Sequence, residues 1–130
     1  MIVVDSNILA YLFLQSDFTP AAEALLARDP EWVAPPLWRS EFRNILAGYY
    51  RRGALTLQKV CTIQASAEAL LVGAEFEPES AHVFDLVSRS DCSAYDCEFV
   101  ALAEQLRLNL ITMDKKVIRE FPEIAHGLAV

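Results

Sequence analysis

Two aspartates that could bind a common ligand each follow a short apolar segment of this 130-residue chain. Asp5 comes directly after Ile2–Val4, and Asp114 comes directly after residues 108–113. Both segments read as buried strands, and a helical pattern begins beyond each aspartate. Because open α/β sheets bind ligands at the carboxyl ends of their strands, we expect both carboxylates at the same edge of one sheet.

Two further carboxylates, Glu41 and Asp96, lie on helical stripes that face inward. Glu41 is four residues from both Leu37 and Ile45, and Asp96 shares a helix face with Val100. A carboxylate inside a protein is costly unless its charge is compensated. Four carboxylates at one place would repel one another without a cation, so the pattern predicts a divalent metal site and metal-assisted chemistry. The metal ligands are expected to be mainly Asp5, Asp96 and Asp114.

Several polar side chains are placed to orient these carboxylates. Ser6, Asn7 and Thr112 adjoin the two strand-end aspartates, and Asn44 lies one helical turn beyond Glu41. Such neighbours commonly fix the orientation of metal ligands, so we expect them to be supporting residues of the site.

Each of the four acidic residues also has a purely structural interpretation. Ser93 and Asp96 have the spacing of a capping box, and Asp114 precedes a helix that it could cap. Asp5 could bind backbone amides in a turn, and Glu41 could pair with an arginine. The joint occurrence of two acids at strand ends and two on inward helical stripes favours the metal site.

The composition predicts one densely packed domain over residues 1–130. Hydrophobic residues make up 54% of the chain and charged residues 22%, which excludes a disordered or fibrous chain. The apolar N-terminus has no basic leader and is interrupted by Asp5, so we expect a cytoplasmic protein without membrane association. Its 3 cysteines form no Cys-x-x-Cys pair, which argues against a disulfide framework or a zinc site.

The formal net charge of -7 disfavours broad, non-specific binding to nucleic acid. Basic residues nevertheless occur beside the acidic positions, and local cations near a metal centre suit a phosphate backbone. Arg43 and Lys115 are the candidates for binding a substrate phosphate. The basic residues in question are Arg39, Arg43, Arg51, Arg52, Lys115, Lys116 and Arg119.

Strand and helix patterns alternate along the chain, which predicts an α/β fold with a largely parallel sheet. Strands are predicted over residues 2–4, 32–34, 75–77, 108–113 and 125–130. Helices are predicted from residue 6, from 19, over 37–52, 56–72, 79–88 and 94–106, and from 115.

At four places the sequence resembles a PIN domain, and its length and layout are similar to the VapC toxins. The motifs are Ile2-Val3-Val4-Asp5-Ser6-Asn7-Ile8-Leu9, Ser40-Glu41-Phe42-Arg43-Asn44, Cys92-Ser93-Ala94-Tyr95-Asp96-Cys97-Glu98-Phe99-Val100-Ala101-Leu102-Ala103 and Leu110-Ile111-Thr112-Met113-Asp114-Lys115-Lys116. The resemblance implies a three-layer α/β/α fold with a central, mainly parallel sheet. It further implies an endoribonuclease that depends on Mg²⁺ or Mn²⁺, forms a homodimer and is inhibited by a VapB-type antitoxin. The four acids would be catalytic. Lys115 and Lys116 follow Asp114 where some relatives carry another acid or amide, which leaves one or two metal ions open.

Two other classes of protein remain as alternatives. One is a PIN-fold module that binds a partner without catalysis. The other is a receiver-like phosphotransfer domain, although the pair of adjacent acids expected early in such a chain is missing. His82 and His126 adjoin no nucleophile, so a serine or cysteine hydrolase is not indicated.

Overall fold

The structure, a computed structural model, describes residues 1–129. In chain order its elements are β1 (Ile2–Val4), α1 (Ser6–Phe13), α2 (Thr19–Arg28), β2 (Trp32–Val33), α3 (Leu37–Arg51), α4 (Leu57–Leu70), α5 (Ser80–Ser88), α6 (Ala94–Leu106), β3 (Leu110–Ile111), α7 (Lys115–Glu120) and β4 (Ala125–His126).

The four strands form one sheet in the order β2-β1-β3-β4, and every pair is parallel. In the register, Val3 pairs with Val33 on one side and with Leu110 on the other. β1 is buried at all three residues, which explains why it reads as an uninterrupted apolar run. The arrangement brings the carboxyl ends of β1 and β3 side by side.

Helices cover this sheet in two groups, which gives the expected three-layer α/β/α fold. α1 packs against α2, α3 and α4, whereas α6 packs against β1, β3 and α5. The buried side chains form one contiguous hydrophobic cluster, with Trp38 and Phe42 of α3 its largest fully buried members. Their spacing on α3 leaves the opposite side of that helix to carry polar residues.

Four of the predicted strands are shorter in the structure, and the one predicted over residues 32–34 ends at Val33. Residues 108–113 yield only Leu110–Ile111 because Arg107 adopts a left-handed conformation (φ 58°) and the Leu108 amide bonds back to Ala103 at 2.8 Å, closing α6. The segment 75–77 contributes a single bridge, between Ala34 and Glu75. The predicted tail strand is limited to Ala125–His126, and Val130 lies outside the described residues.

The predicted helices all occur, with small changes at their ends. Thr56 caps α4 by accepting the Lys59 amide at 3.1 Å. Thr19 is the first residue of α2. Its hydroxyl accepts from Ser16 N–H and donates to the Tyr11 carbonyl, so it ties α2 to the end of α1. Within residues 1–129 there is no helix long and apolar enough to cross a membrane.

An ionic network fixes the start of α3 against the edge of the sheet. The Arg39 guanidinium binds both carboxylate oxygens of Glu75 at 2.7 Å and also binds Glu68 of α4 at 2.9 Å. The Trp38 indole N–H donates to the same Glu75 carboxylate at 2.7 Å. Bidentate arginine–carboxylate pairs are geometrically specific, so the network holds α3 in one orientation. Arg39 is thereby committed to a structural contact.

Candidate active site

The strand-end aspartates lie at neighbouring strand ends in the sheet. Asp5 follows β1 and Asp114 follows β3, and the last pair of this ladder is Val4 with Ile111. The Asp5 amide extends the ladder by donating to the Ile111 carbonyl at 3.0 Å. Both aspartates are half-buried. The parallel order of β1 and β3 is therefore what brings together residues 109 positions apart in the chain.

Thr112 joins these two aspartates directly. Its hydroxyl donates to Asp5 Oδ2 at 2.7 Å and accepts from the Asp114 amide at 3.1 Å. Thr112 is 1% exposed, so neither hydrogen bond competes with bulk water. One buried side chain thus sets the orientation of the Asp5 carboxylate and the position of the Asp114 backbone.

Ser6 performs a similar task for Glu41. The Ser6 hydroxyl, on the first turn of α1, donates to Glu41 Oε1 of α3 at 2.7 Å. Within residues 1–129, Glu41 Oε2 makes no hydrogen bond, and Glu41 pairs with no arginine. Ser6 is buried, whereas Glu41 is half-buried and opens to the same side as Asp5.

Asp96 reaches this site from the first turn of α6. Its backbone amide is capped by the Ser93 hydroxyl at 3.0 Å, so the structural interpretation holds for the backbone. Among the described residues its carboxylate has no hydrogen bond or ion pair. Together with Asp5 and Thr112 it lines a small pocket, which is closed by Phe99, Leu110 and Val117.

Burial and mutual repulsion raise the pKa of two of these carboxyl groups. The pKa of Asp5 is raised first by burial and then by the nearby charges of Asp96 and Asp114, against the lowering effect of the Thr112 hydrogen bond. The pKa of Glu41 is raised first by burial, and the charges of Asp5 and Asp96 add to it. The four acids therefore share one electrostatic neighbourhood.

The residues at this edge are suited to a hard divalent cation, but they do not form a finished ligand cage. No three Asp, Glu, His or Cys side chains within residues 1–129 are arranged as a metal-binding group. Asp114 Oδ1 accepts the amides of Lys116 (2.9 Å) and Val117 (3.3 Å) and so caps α7, as its structural interpretation predicted. Clustered, partly desolvated carboxylate oxygens are the donors that Mg²⁺ and Mn²⁺ prefer.

The remaining predicted site residues lie further from the acidic group or are exposed. Asn7 and Asn44 are exposed, and in the described part of the chain their side chains make no hydrogen bond. Lys115 is exposed and directly follows Asp114. Arg43 is exposed and lines a separate groove between α3 and α4. Within residues 1–129, no hydrogen bond or ion pair joins Arg43 to the acidic residues.

Sequence reasoning missed Glu98, which belongs to the same neighbourhood. Its charge contributes to raising the pKa of Glu41, and burial raises the pKa of Glu98 itself. The available signal was the composition of α6, which is buried on nearly every side at Cys97, Phe99 and the following residues. On such a helix any carboxylate is partly drawn inward. His82 adjoins no nucleophile in the sequence, and in the structure its Nε2 contacts Glu104 Oε1 at 2.6 Å.

The comparison with known families defines the class of protein. The family model described as PIN domain matches residues 2–125, and the chain belongs to this family. The expected resemblance is thus confirmed.

Individual relatives extend this result. Ribonuclease VapC3 of Pyrobaculum aerophilum is 27% identical over 127 residues, covering 95% of this chain and 96% of its own. The crystal structure of PAE2754 from the same organism has a TM-score of 0.73 at 17% identity, covering 97% of this chain and 89% of the other. That of FitAcB from Neisseria gonorrhoeae has a TM-score of 0.72 at 19% identity, covering 99% and 97%. The two structures show a shared fold.

Proposed function

We propose that this protein is a metal-dependent endoribonuclease that hydrolyses RNA phosphodiester bonds and acts as the toxin of a VapBC-type pair. The observation that carries the proposal is the placement of Thr112 between Asp5 and Asp114, in the pocket that Asp96 also lines. A buried hydroxyl that organises like-charged carboxylates makes sense where a cation is to be held. The name of the relative, Ribonuclease VapC3, supports RNA as the substrate class.

The roles of the acidic residues follow from their surroundings. Asp5, Asp96 and Asp114 would hold Mg²⁺ or Mn²⁺. When bound, the ion supplies Lewis acidity toward the phosphoryl group and lowers the pKa of a bound water. Glu41, with its raised pKa and its free Oε2, is the candidate for accepting a proton from the attacking water. The water oxygen forms the new bond to phosphorus, and the departing ribose oxygen leaves with a proton.

The proposed role of the supporting residues is to orient the acidic side chains and to bind the substrate. Ser6 holds Glu41 and Thr112 holds Asp5, and both hydroxyls are buried. Lys115, next to Asp114 and exposed, is our candidate for a substrate phosphate, and Arg43 is a second candidate farther along α3. Asn7 and Asn44 are exposed, so we assign them contacts with the substrate or with water instead of a fixed hydrogen bond.

The proposal is tested with purified protein and RNA at varied Mn²⁺ and Mg²⁺. Asp5→Asn and Asp96→Asn are compared with Asp17→Asn, a matched control that makes the same change at an exposed acid. We expect metal-dependent cleavage by the unmodified protein and the control, and a loss of about a hundredfold or more in both site variants, because residues that only orient metal ligands already contribute roughly 10–100-fold. In a bacterial host, growth arrest should follow the same pattern. Equal activity in all four proteins would refute the assignment.

A VapB-type antitoxin and a second copy of this chain are the proposed protein partners. One exposed apolar groove of about 500 Å³ runs between α3 and α4, with Tyr50 and Leu57 among its lining residues. Exposed apolar grooves of this size commonly bind partner side chains. Cys61 also lines the groove and is exposed, so a partner bound there should protect its thiol from alkylation. Unchanged labelling in the complex would place the partner elsewhere.

A catalytically silent partner-binding module is the second candidate. The groove favours it as well, because partner binding does not require the carboxylates. The RNA cleavage experiment distinguishes the nuclease from the silent partner-binding module. Full partner binding with no metal-dependent cleavage by the unmodified protein would support the silent module.

A further inference from the structure

We infer that Glu120 is a positioning residue that fixes the spacing between Asp96 and Asp114. The inference rests on the proposed metal site and adds to it. Glu120 is the last residue of α7, and its Oε1 accepts the backbone amide of Asp91 at 2.9 Å. Asp91 lies in the turn that leads into α6. The hydrogen bond therefore ties together the two helices that present the two aspartates.

The hydrogen bond between Glu120 and Asp91 connects two short segments of the chain, each of which leads to one of the aspartates. On one side, Asp114 caps α7, and the helix spans only six residues to Glu120. On the other side, the turn continues from Asp91 to Ser93, whose hydroxyl caps the amide of Asp96. Each step is a helix or a capped turn, so little slack remains between the ends. A shift of α7 relative to the turn before α6 would lengthen the hydrogen bond between Glu120 and Asp91.

Other hydrogen bonds of the turn connect it to α5 and α6. The Ser90 hydroxyl accepts the Cys92 amide at 3.3 Å and donates to the Leu86 carbonyl of α5 at 2.8 Å, and its oxygen lies 4.0 Å from the Cys97 sulfur of α6. None of these contacts reaches α7, the helix that Asp114 caps, whereas the hydrogen bond of Glu120 does. The pKa of the buried Cys92 thiol is raised to about 11, first by burial and then by nearby charges that include Asp96 and Glu120.

The contact is partly exposed, so its loss should not unfold the protein. A hydrogen bond at the surface contributes little to global stability, whereas a displaced carboxylate weakens a metal site directly. This separation makes the role testable, because a merely structural contact would lower stability without a selective loss of metal affinity.

The test is isothermal calorimetry with MnCl₂ on the metal-free protein. For Glu120→Ala we expect an affinity about tenfold weaker than in the unmodified protein, the lower end of the roughly 10–100-fold range for residues that orient metal ligands. Glu120→Gln keeps an oxygen acceptor and should restore affinity to within about twofold. Glu123→Ala is the matched control, because it removes an equal charge from an exposed residue three positions away.

The outcomes separate this inference from the proposed function. Unchanged affinity in Glu120→Ala, with the unmodified protein binding Mn²⁺, overturns the positioning role alone. Equal weakening in Glu120→Gln and Glu120→Ala also overturns it, since charge and not the hydrogen bond would then be responsible. If the unmodified protein takes up no Mn²⁺, the proposed metal centre fails and the inference fails with it. Circular dichroism of each variant confirms that the fold is intact.

Discussion

Replacing Thr112 with valine should destabilise the protein and shift its metal binding to higher pH. Valine has nearly the shape of threonine but no hydroxyl, so the change removes the 2.7 Å bond to Asp5 and the acceptor of the Asp114 amide. A hydrogen bond to a charged group contributes about 1.5–3 kcal/mol, and an unsatisfied amide adds a cost of its own. The methyl group gained in a buried site offsets part of this, so we expect a net loss of about 2 kcal/mol at pH near 7.

The shift in pH dependence follows from the sign of the Thr112 contribution. This hydrogen bond lowers the pKa of Asp5 against the raising effect of burial. Without it the pKa of Asp5 rises further, and the carboxylate form that binds metal is populated only at higher pH. We therefore expect Mn²⁺ affinity to fall by about tenfold or more near neutral pH, with a smaller loss under alkaline conditions.

The assay combines urea denaturation with calorimetric Mn²⁺ titration across a range of pH. Thr112→Ser is the matched control, because it keeps the hydroxyl and loses only the methyl group. It should retain the pH profile of the unmodified protein even if its stability falls. A valine variant with unaltered stability and an unaltered pH profile would show that the Thr112 bond has no role in the site.

Three further results are expected. The contribution of Asp5 and Glu41 to the stability of the metal-free protein should fall as pH rises. Burial raises the folded-state pKa of both groups, so the contribution is fully present below their unfolded-state pKa values and is lost as pH rises through their folded-state values. Urea denaturation of the unmodified protein and of Asp5→Asn at several pH values, with and without Mn²⁺, measures it, and a pH-independent difference between the two proteins would contradict it. The contribution of Glu75 to stability should have the opposite pH dependence, because the hydrogen bonds from Arg39 lower the pKa of Glu75. This contribution is present above the unfolded-state pKa of Glu75 and is lost as pH falls through the folded-state pKa. Glu75→Gln should therefore be less stable than the unmodified protein at neutral pH and approach its stability in acid. Ser6→Ala should raise the pKa of Glu41 and reduce kcat about tenfold with little change in KM, and its pH–rate profile should move upward; a change confined to KM would exclude a role in the chemical step.

The fold was predictable because its signals are local and mutually consistent. An apolar run followed by Asp5 and a helical stripe defines one strand–helix unit, and residues 108–116 repeat the pattern. Parallel pairing then requires that both strand ends meet at one edge. The strand lengths were less predictable. Leu108 is apolar and reads as strand, but its amide completes the end of α6, a backbone arrangement that the spacing of apolar residues does not reveal.

The site was predictable in its acids and less so in what surrounds them. Glu41 could be placed because its helical stripe is regular over several turns. The role of Arg39 could not be predicted, because its partners Glu68 and Glu75 come from a distant helix and a loop. Only the folded chain shows that the charge of Arg39 is already paired. Arg43, four residues further along α3, is exposed. Pairing between distant residues has no periodic signature in one sequence.

The hydrogen bonds around the acids have a common consequence for metal binding. Asp5 and Glu41 are each held by a buried hydroxyl, and the helices of Asp96 and Asp114 are connected through Glu120. Burial of the carboxylates and repulsion among them both oppose this arrangement in the metal-free protein, and they raise the pKa values of Asp5 and Glu41, burial more than repulsion. The free energy stored as repulsion is released when a cation binds, so preorganisation should raise metal affinity while lowering the stability of the metal-free state. Substitutions that relieve repulsion at one acid should therefore stabilise the metal-free protein and weaken metal binding together, which a purely structural acidic cluster would not do.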